Sequence, residues 1–309
     1  MPQLTFSRSI AAGSLAASLA LLAPPAAAQD QPALRSHPPT AGVLRICADP
    51  DNMPASNQKG EGYENKIAEL IAREWNAKLE YAWWPVRRGF FSRALNGRYC
   101  DVALTAPSGL DMAATTKPYY RAGYVVVYRK DSGLDLKSLE DPAWKKLRIG
   151  INLLNSDATN TPPAMALSRH GVVGNLVGFT TFYSVLDRPE DIVNAVVDKK
   201  VDASIVWGPL AGYFAQRASV PLVVQPLTQY DSIADLPFAF NMSMAVRRRD
   251  RELRDSLEKV IDQKHPEIEA ILRQYAVPLL PVVAEEKKGE PEQRTEAAPT
   301  GDPSAPGAR

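Results

Sequence analysis

The chain has 309 residues, with 36 Lys and Arg against 35 Asp and Glu and a net charge of +1. That balance argues against a nucleic-acid partner, which needs a concentrated basic patch. The chain holds only three histidines. It has no C-x-x-C, H-E-x-x-H or G-x-S-x-G spacing, so no catalytic or metal-ligating set is evident.

Residues 1–28 read as a secretory signal. Arg8 precedes an apolar run from Ile10 to Leu22, and Ala26-Ala27-Ala28 fits a small-x-small cleavage site before Gln29. The run is too short for a membrane anchor, which takes ~20 apolar residues. No later stretch is long and apolar enough to cross a bilayer, so the expectation is a periplasmic chain cleaved after Ala28. Residues 29–42, with Pro32, Pro38 and Pro39, are expected to be a flexible lead-in. Residues 284–309 contain no aromatic and no Ile, Leu or Val, and are expected to be a disordered tail.

Between these ends, strand and helix signals alternate. Residues 43–48 read as a strand ending at Asp49. Tyr63, Ile67, Leu70, Ile71 and Trp75 then share one helical face. Leu79, Tyr81 and Trp83 alternate as a strand. Residues 87–96 read as a helix closed by Gly97, and residues 101–105 and 123–128 as strands. After a polar stretch the pattern restarts with a strand over 147–151. A helix follows, capped by Thr161 with Pro162 at its first position. Next come a helix from Pro189, a strand over 203–207, a helix from Pro209 and a strand over 222–225. Phe240, Met242, Met244 and Val246 alternate as a last strand, and two helices follow, the second starting at Pro266. Such alternation predicts an α/β fold with a parallel sheet covered on both faces.

Cys47 and Cys100 are the two cysteines. In an exported chain pairing is the default, and both lie at strands expected to be neighbours. Closing that loop is worth about 4 kcal/mol in the chain-entropy model. The alternative is two buried thiols.

Asp49, Asp51, Asn52, Glu61 and Glu64 gather carboxylates around one predicted rim. They suit a hard cation or a basic ligand, although the spacing matches no metal loop, and Glu64 at a helix start also answers the helix dipole. Trp84 and Arg87, in the string Trp83 to Arg88, combine an aromatic face with a guanidinium, as recognition hot spots do. Trp207 ends a strand and is a second aromatic candidate, with core packing as the alternative. Asp157 and Thr159 precede a helix start, a place suited to anions or simply to turn chemistry. The run Arg247 to Arg251 reads as a solvated strand end.

Leu44-Arg45-Ile46-Cys47-Ala48-Asp49 followed by Gly62-Tyr63-Glu64 resembles the opening of periplasmic solute-binding proteins of the polar-amino-acid type. The resemblance implies a type II fold with two lobes, two crossover segments and a central cleft. Lobe 1 would hold residues 43–128 and 231–283, and lobe 2 residues 129–230. It also implies a carboxylate-clamping arginine after the strand that carries Thr105, but Thr105 to Asp111 contains none. In lobe 2 the expected turn is replaced by Asn152-Leu153-Leu154-Asn155, and the amine-binding position by Trp207-Gly208-Pro209. An α-amino acid is therefore not the expected ligand.

Trp83-Trp84-Pro85-Val86-Arg87-Arg88-Gly89-Phe90, Pro118-Tyr119-Tyr120-Arg121 and Thr159-Asn160-Thr161-Pro162-Pro163-Ala164 resemble one subgroup. It is that of the quinoprotein-dehydrogenase-associated solute-binding proteins, the "J" proteins of methanol-oxidation gene clusters. That resemblance implies a non-enzymatic accessory protein without a cofactor of its own. Its implied role is activation or maturation of a PQQ-dependent methanol or alcohol dehydrogenase, with the dehydrogenase and its cytochrome c as partners. The rival expectations are a transporter's binding protein for a non-amino-acid solute and a cleft-bearing enzyme.

Overall fold

The computed structural model describes residues 42–87, 89–153, 160–181, 183–184, 186–227, 230–231 and 236–284. The expected signal, most of the lead-in, the tail beyond Ala284, Arg88, Asp157 and Thr159 lie outside the described residues.

In chain order the strands begin with β1 (Val43–Ala48), β2 (Asp51–Asn52) and β3 (Ser56–Asn57), then helix α1 (Tyr63–Glu74) and β4 (Lys78–Trp83). A π-helical turn (Phe90–Leu95) leads to β5 (Val102–Pro107), β6 (Ala114–Thr115) and the long β7 (Tyr120–Arg129). Then come β8 (Ile149–Leu153), α2 (Pro162–Arg169), β9 (Leu176–Thr180), α3 (Asp191–Val197), β10 (Ala203–Trp207), α4 (Gly208–Gln216) and β11 (Leu222–Pro226). The hairpin β12 (Tyr230–Asp231) and β13 (Leu236–Pro237), strand β14 (Ala239–Val246) and α5 (Arg251–Gln274) complete the chain.

The main sheet runs β4-β1-β5-β14-β7-β10-β8-β9, with β11 also on β7 and β6 on β14. Pairing is parallel within each half, where β1 joins β4 and β5 and β8 joins β10 and β9. It is antiparallel wherever β7 or β14 takes part. The expected all-parallel sheet is therefore a mixed one, because these two strands carry the chain out of one half and back.

Each half has its own core. Leu44, Ile46, Ile67, Ile71, Met244, Leu257 and Ile261 bury one face of the first half. Cys47, Phe90, Leu95, Cys100 and Ala245 bury the other face. In the second half Trp144, Ile149, Ile151, Leu167 and Ile205 pack on one side and Val125, Val127, Ile192, Val193 and Val206 on the other. Burying a side chain of this size contributes roughly 1.5–3 kcal/mol.

The structure departs from two helix boundaries. Residues 87–96 form only the π-helical turn, entered at Gly89 with φ 91°. At the C-terminus, α5 is one helix of 24 residues with Pro266 inside it, where two helices were expected. Leu253, Leu257, Val260, Ile261, Ile268 and Leu272 keep a single buried stripe across the proline. Pro266 itself is exposed, so water can satisfy the carbonyl it leaves unpaired.

The C-terminal segment after α5 runs back over the crossovers. The Leu280 N–H donates to the Arg121 carbonyl, and the Asn241 side chain bonds the Val283 backbone through both its amide nitrogen and its oxygen. Among the described residues no helix is long and apolar enough to cross a membrane.

Candidate functional site

β1, β4 and β5 are parallel, so their C-terminal ends face the same way, and ligands of open α/β sheets collect beyond such ends. Asp49 follows β1, Trp84 follows β4, and Thr105 lies near the end of β5. Glu64 enters from above as the second residue of α1, whose start is fixed by close packing. A side chain at Gly62 would collide with the Ala55 carbonyl, and the Asn65 side chain accepts the Gly62 N–H.

Asp49 is buried, and both carboxylate oxygens are used. One accepts the Asp51 N–H at 2.9 Å and the other the Val86 N–H at 2.6 Å. Its backbone is pinned in turn by the Ser56 hydroxyl. This residue thus ties the loop after β1 to the loop after β4. Burial raises its pKa, and the two N–H bonds and the Arg87 charge partly offset that rise.

Glu64 is the more perturbed acid. Burial pushes its carboxyl up to about 7 and the Asp49 charge adds to the rise, while a hydrogen bond with Thr105 opposes it. A helix start favours a carboxylate, so desolvation here outweighs the dipole. Tyrosines surround the pair. The Tyr119 hydroxyl donates to the Leu104 carbonyl at 2.8 Å and lies 3.5 Å from the Thr105 hydroxyl. The Tyr63 and Tyr120 hydroxyls, also buried, are raised by desolvation and stay protonated. Tyr120 lies close enough to Tyr63 and Thr105 to feel both, yet makes no hydrogen bond of good geometry. The result is a cluster of buried hydroxyls beside one carboxyl whose pKa is pushed up to about 7.

The second half contributes Tyr183. Burial raises its hydroxyl first, and the Asp49 charge raises it further. Asn152, at the end of β8, is buried, and its carbonyl accepts the Thr161 hydroxyl at 2.8 Å. Trp207 packs its ring on Tyr124 at 5.4 Å and Phe240 at 6.2 Å, at the crossovers.

The expected rim residues divide. Asp49, Glu64 and Thr105 come together. Trp84 is half-buried against Tyr99, with ring centroids 5.5 Å apart, and Arg87, three residues further on, is exposed. The two candidate tryptophans therefore have separate aromatic partners and no ring contact with each other among the described residues. Asn52 lies in the β2–β3 hairpin, where its carbonyl accepts the Ala55 N–H. Glu61 turns away to the Asn57 amide at 2.8 Å. Among the described residues no three His, Cys, Asp or Glu side chains gather as a metal site would require.

Cys47 and Cys100 form a disulfide, with Cα atoms 5.2 Å apart. Tyr63, Tyr119 and Tyr120 enter the sequence reading only through a helical face and family strings, and Tyr183 does not enter it. A tyrosine in an apolar run looks like core, and only its hydroxyl partners show otherwise.

No family model matches the chain. Protein MoxJ of Methylorubrum extorquens is 31% identical over 286 residues, covering 86% of this chain and 92% of that protein. The crystal structure of MxaJ from Methlophaga aminisulfidivorans superposes with a TM-score of 0.68 at 29% identity, over 77% of this chain and all of that one. Periplasmic binding protein XoxJ from Methylobacterium extorquens AM1 gives a TM-score of 0.64 at 36% identity, over 78% of this chain and all of that one. The fold is accordingly that of the type II periplasmic solute-binding proteins, and the chain belongs to the MoxJ family.

Proposed function

We propose that this chain is a periplasmic accessory protein, cleaved after Ala28, that serves the activation or maturation of a PQQ-dependent methanol or alcohol dehydrogenase. It docks to that enzyme at the rim of its cleft. The observation that carries this reading is membership of the MoxJ family in a chain whose amino-acid clamp is gone. The segment from Thr105 to Asp111 has no arginine, and Ser108 is tied to the Ser243 hydroxyl at 2.6 Å. Its rim instead offers Trp84 and Arg87 on a loop braced by Asp49.

We read it as a binding protein and not an enzyme. Glu64 lies near Thr105 among protonated tyrosines, and among the described residues no three His, Cys, Asp or Glu side chains gather as a metal site would require. The specific feature favouring the rival transport reading is the same acid pair. Glu64 and Asp49 would suit a small cationic or hydroxyl-rich solute.

The test is interferometry of the mature protein against the dehydrogenase of its own organism, in apo and holo forms. Trp84→Ala or Arg87→Ala should cost about 2 kcal/mol, roughly thirtyfold in Kd, with unchanged circular dichroism. Absence of binding to either form of the dehydrogenase overturns the accessory reading.

A further inference from the structure

A groove of about 620 Å3 opens on the first half, among the π-helical turn, the Asp111–Met112 loop and the end of β14. Asp101 stands just before β5 and Arg247 just after β14, and these strands run antiparallel. The groove therefore lies at the end of β5 opposite Thr105, away from the cleft. Its size falls in the range of ligand-binding clefts.

The floor is Arg247, which is buried. Its guanidinium donates to the Cys100 carbonyl at 2.5 Å and to Asp101 at 2.8 Å, and pairs with Asp250 at 2.7 Å. Two aspartates beside it balance its charge, so Arg247 belongs to the brace beneath the groove. The charge that remains is on the rim. Arg248 and Arg249 are exposed and form no ion pair among the described residues. Met112, 46% exposed, sits in the lining. Two adjacent exposed arginines beside an exposed apolar side chain fit an acidic segment with apolar residues between its carboxylates. A nucleic acid or an anionic membrane fits less well. Asp111 stands in the lining, and the whole chain carries a net charge of only +1, so no long-range field gathers a polyanion.

We propose that this groove is a docking site for an acidic peptide segment of a partner protein, separate from the cleft and independent of what the cleft binds. The probe is a fluorescein-labelled peptide of alternating Glu and Leu, read by anisotropy against the mature protein. Matched controls are a Lys and Leu peptide, a single-stranded oligonucleotide and phosphatidylglycerol vesicles. The acidic peptide should bind, and its affinity should fall steeply with added salt because the contacts are exposed charges. The double variant R248E/R249E should weaken it at least about tenfold, which is about 1.4 kcal/mol, with an unchanged melting curve since both side chains are exposed. Met112→Asp should weaken it independently. The proposal is overturned if the parent protein does not bind the peptide, or if R248E/R249E binds it as well as the parent. Tighter binding of the oligonucleotide or the vesicles than of the peptide overturns it equally.

Discussion

Tyr213 of α4 stacks on Tyr275 at the end of α5, with ring centroids 5.7 Å apart and planes 16° from parallel. The Arg217 guanidinium covers the Tyr213 ring at 3.6 Å, and Tyr63, at the start of α1, meets the edge of Tyr275. One aromatic column thus joins a helix of the second half to two helices of the first.

The backbone beneath that column is in close contact. A side chain at Gly212 would run into the Ala276 carbonyl. Gly212→Ala should therefore destabilise the protein by about 1–3 kcal/mol, despite alanine's better helix propensity. Thermal melts would check this, with Gly174→Ala as control, since Gly174 has open space around it. Equal melting temperatures would mean the column is loosely held.

Glu64 gives the fold a pH dependence of defined sign. Its folded pKa, about 7, is above the ordinary value of 4.5. Below about pH 4.5 both folded and unfolded chains hold the proton, and nothing is lost. As pH rises towards 7 the unfolded chain releases the proton first, so stability falls, and it levels off above 7. Glu64→Gln removes the ionisation while keeping a partner for Thr105. It should match the parent near pH 4 and be more stable at pH 8, by at most about 3 kcal/mol. Urea unfolding across that range measures the difference. A gain that is the same at every pH would refute the titration.

Arg247 and Arg248 are adjacent in sequence and should behave differently. Arg247→Ala leaves Asp101 and Asp250 beside an emptied guanidinium site, each little exposed, and should cost about 3–5 kcal/mol. Arg248→Ala, at an exposed position, should change stability by no more than about 0.5 kcal/mol. Denaturant titration of both variants distinguishes a braced core arginine from a solvated strand end.

The Cys47–Cys100 bond closes a sequence separation of 53 residues. Replacing both cysteines with Ala should lower stability by about 4 kcal/mol on the chain-entropy scale. Protein recovered from the periplasm and denatured without reductant should take up no thiol label.

A panel of α-amino acids should show no binding tighter than ~1 mM by calorimetry, because no arginine follows Thr105 before Arg121. Micromolar binding of any of them would restore the transport reading.

The parts legible in the sequence were those with a simple period or a compartment logic. The face of α1, the strand from Val43, the strand alternation and the cysteine pair follow from the residues alone, while the crossover role of β7 and β14 and the interest of Thr105 come from the family resemblance. What was missed depends on tertiary context. Pro266 suggested a break, but the apolar stripe stays in phase across it. Leu176 to Thr180 has weak alternation and becomes a strand by pairing with β8. Arg247 looked solvated within a basic run, and only the fold brings Asp101 and the Cys100 carbonyl to it. The tyrosines around Glu64 belong to family strings in the sequence, but their grouping there depends on where their hydroxyls point in the fold.

Asp49 accepts N–H groups from two loops that are far apart in sequence, at Asp51 and Val86. Part of the conformational entropy of the segment from Trp84 to Arg87 is therefore given up when the chain folds, before any encounter. Whatever settles on Trp84 and Arg87 meets a surface already near its final shape. The association loses less freedom than it would on a loose loop, and affinity gained this way shows chiefly as slower dissociation.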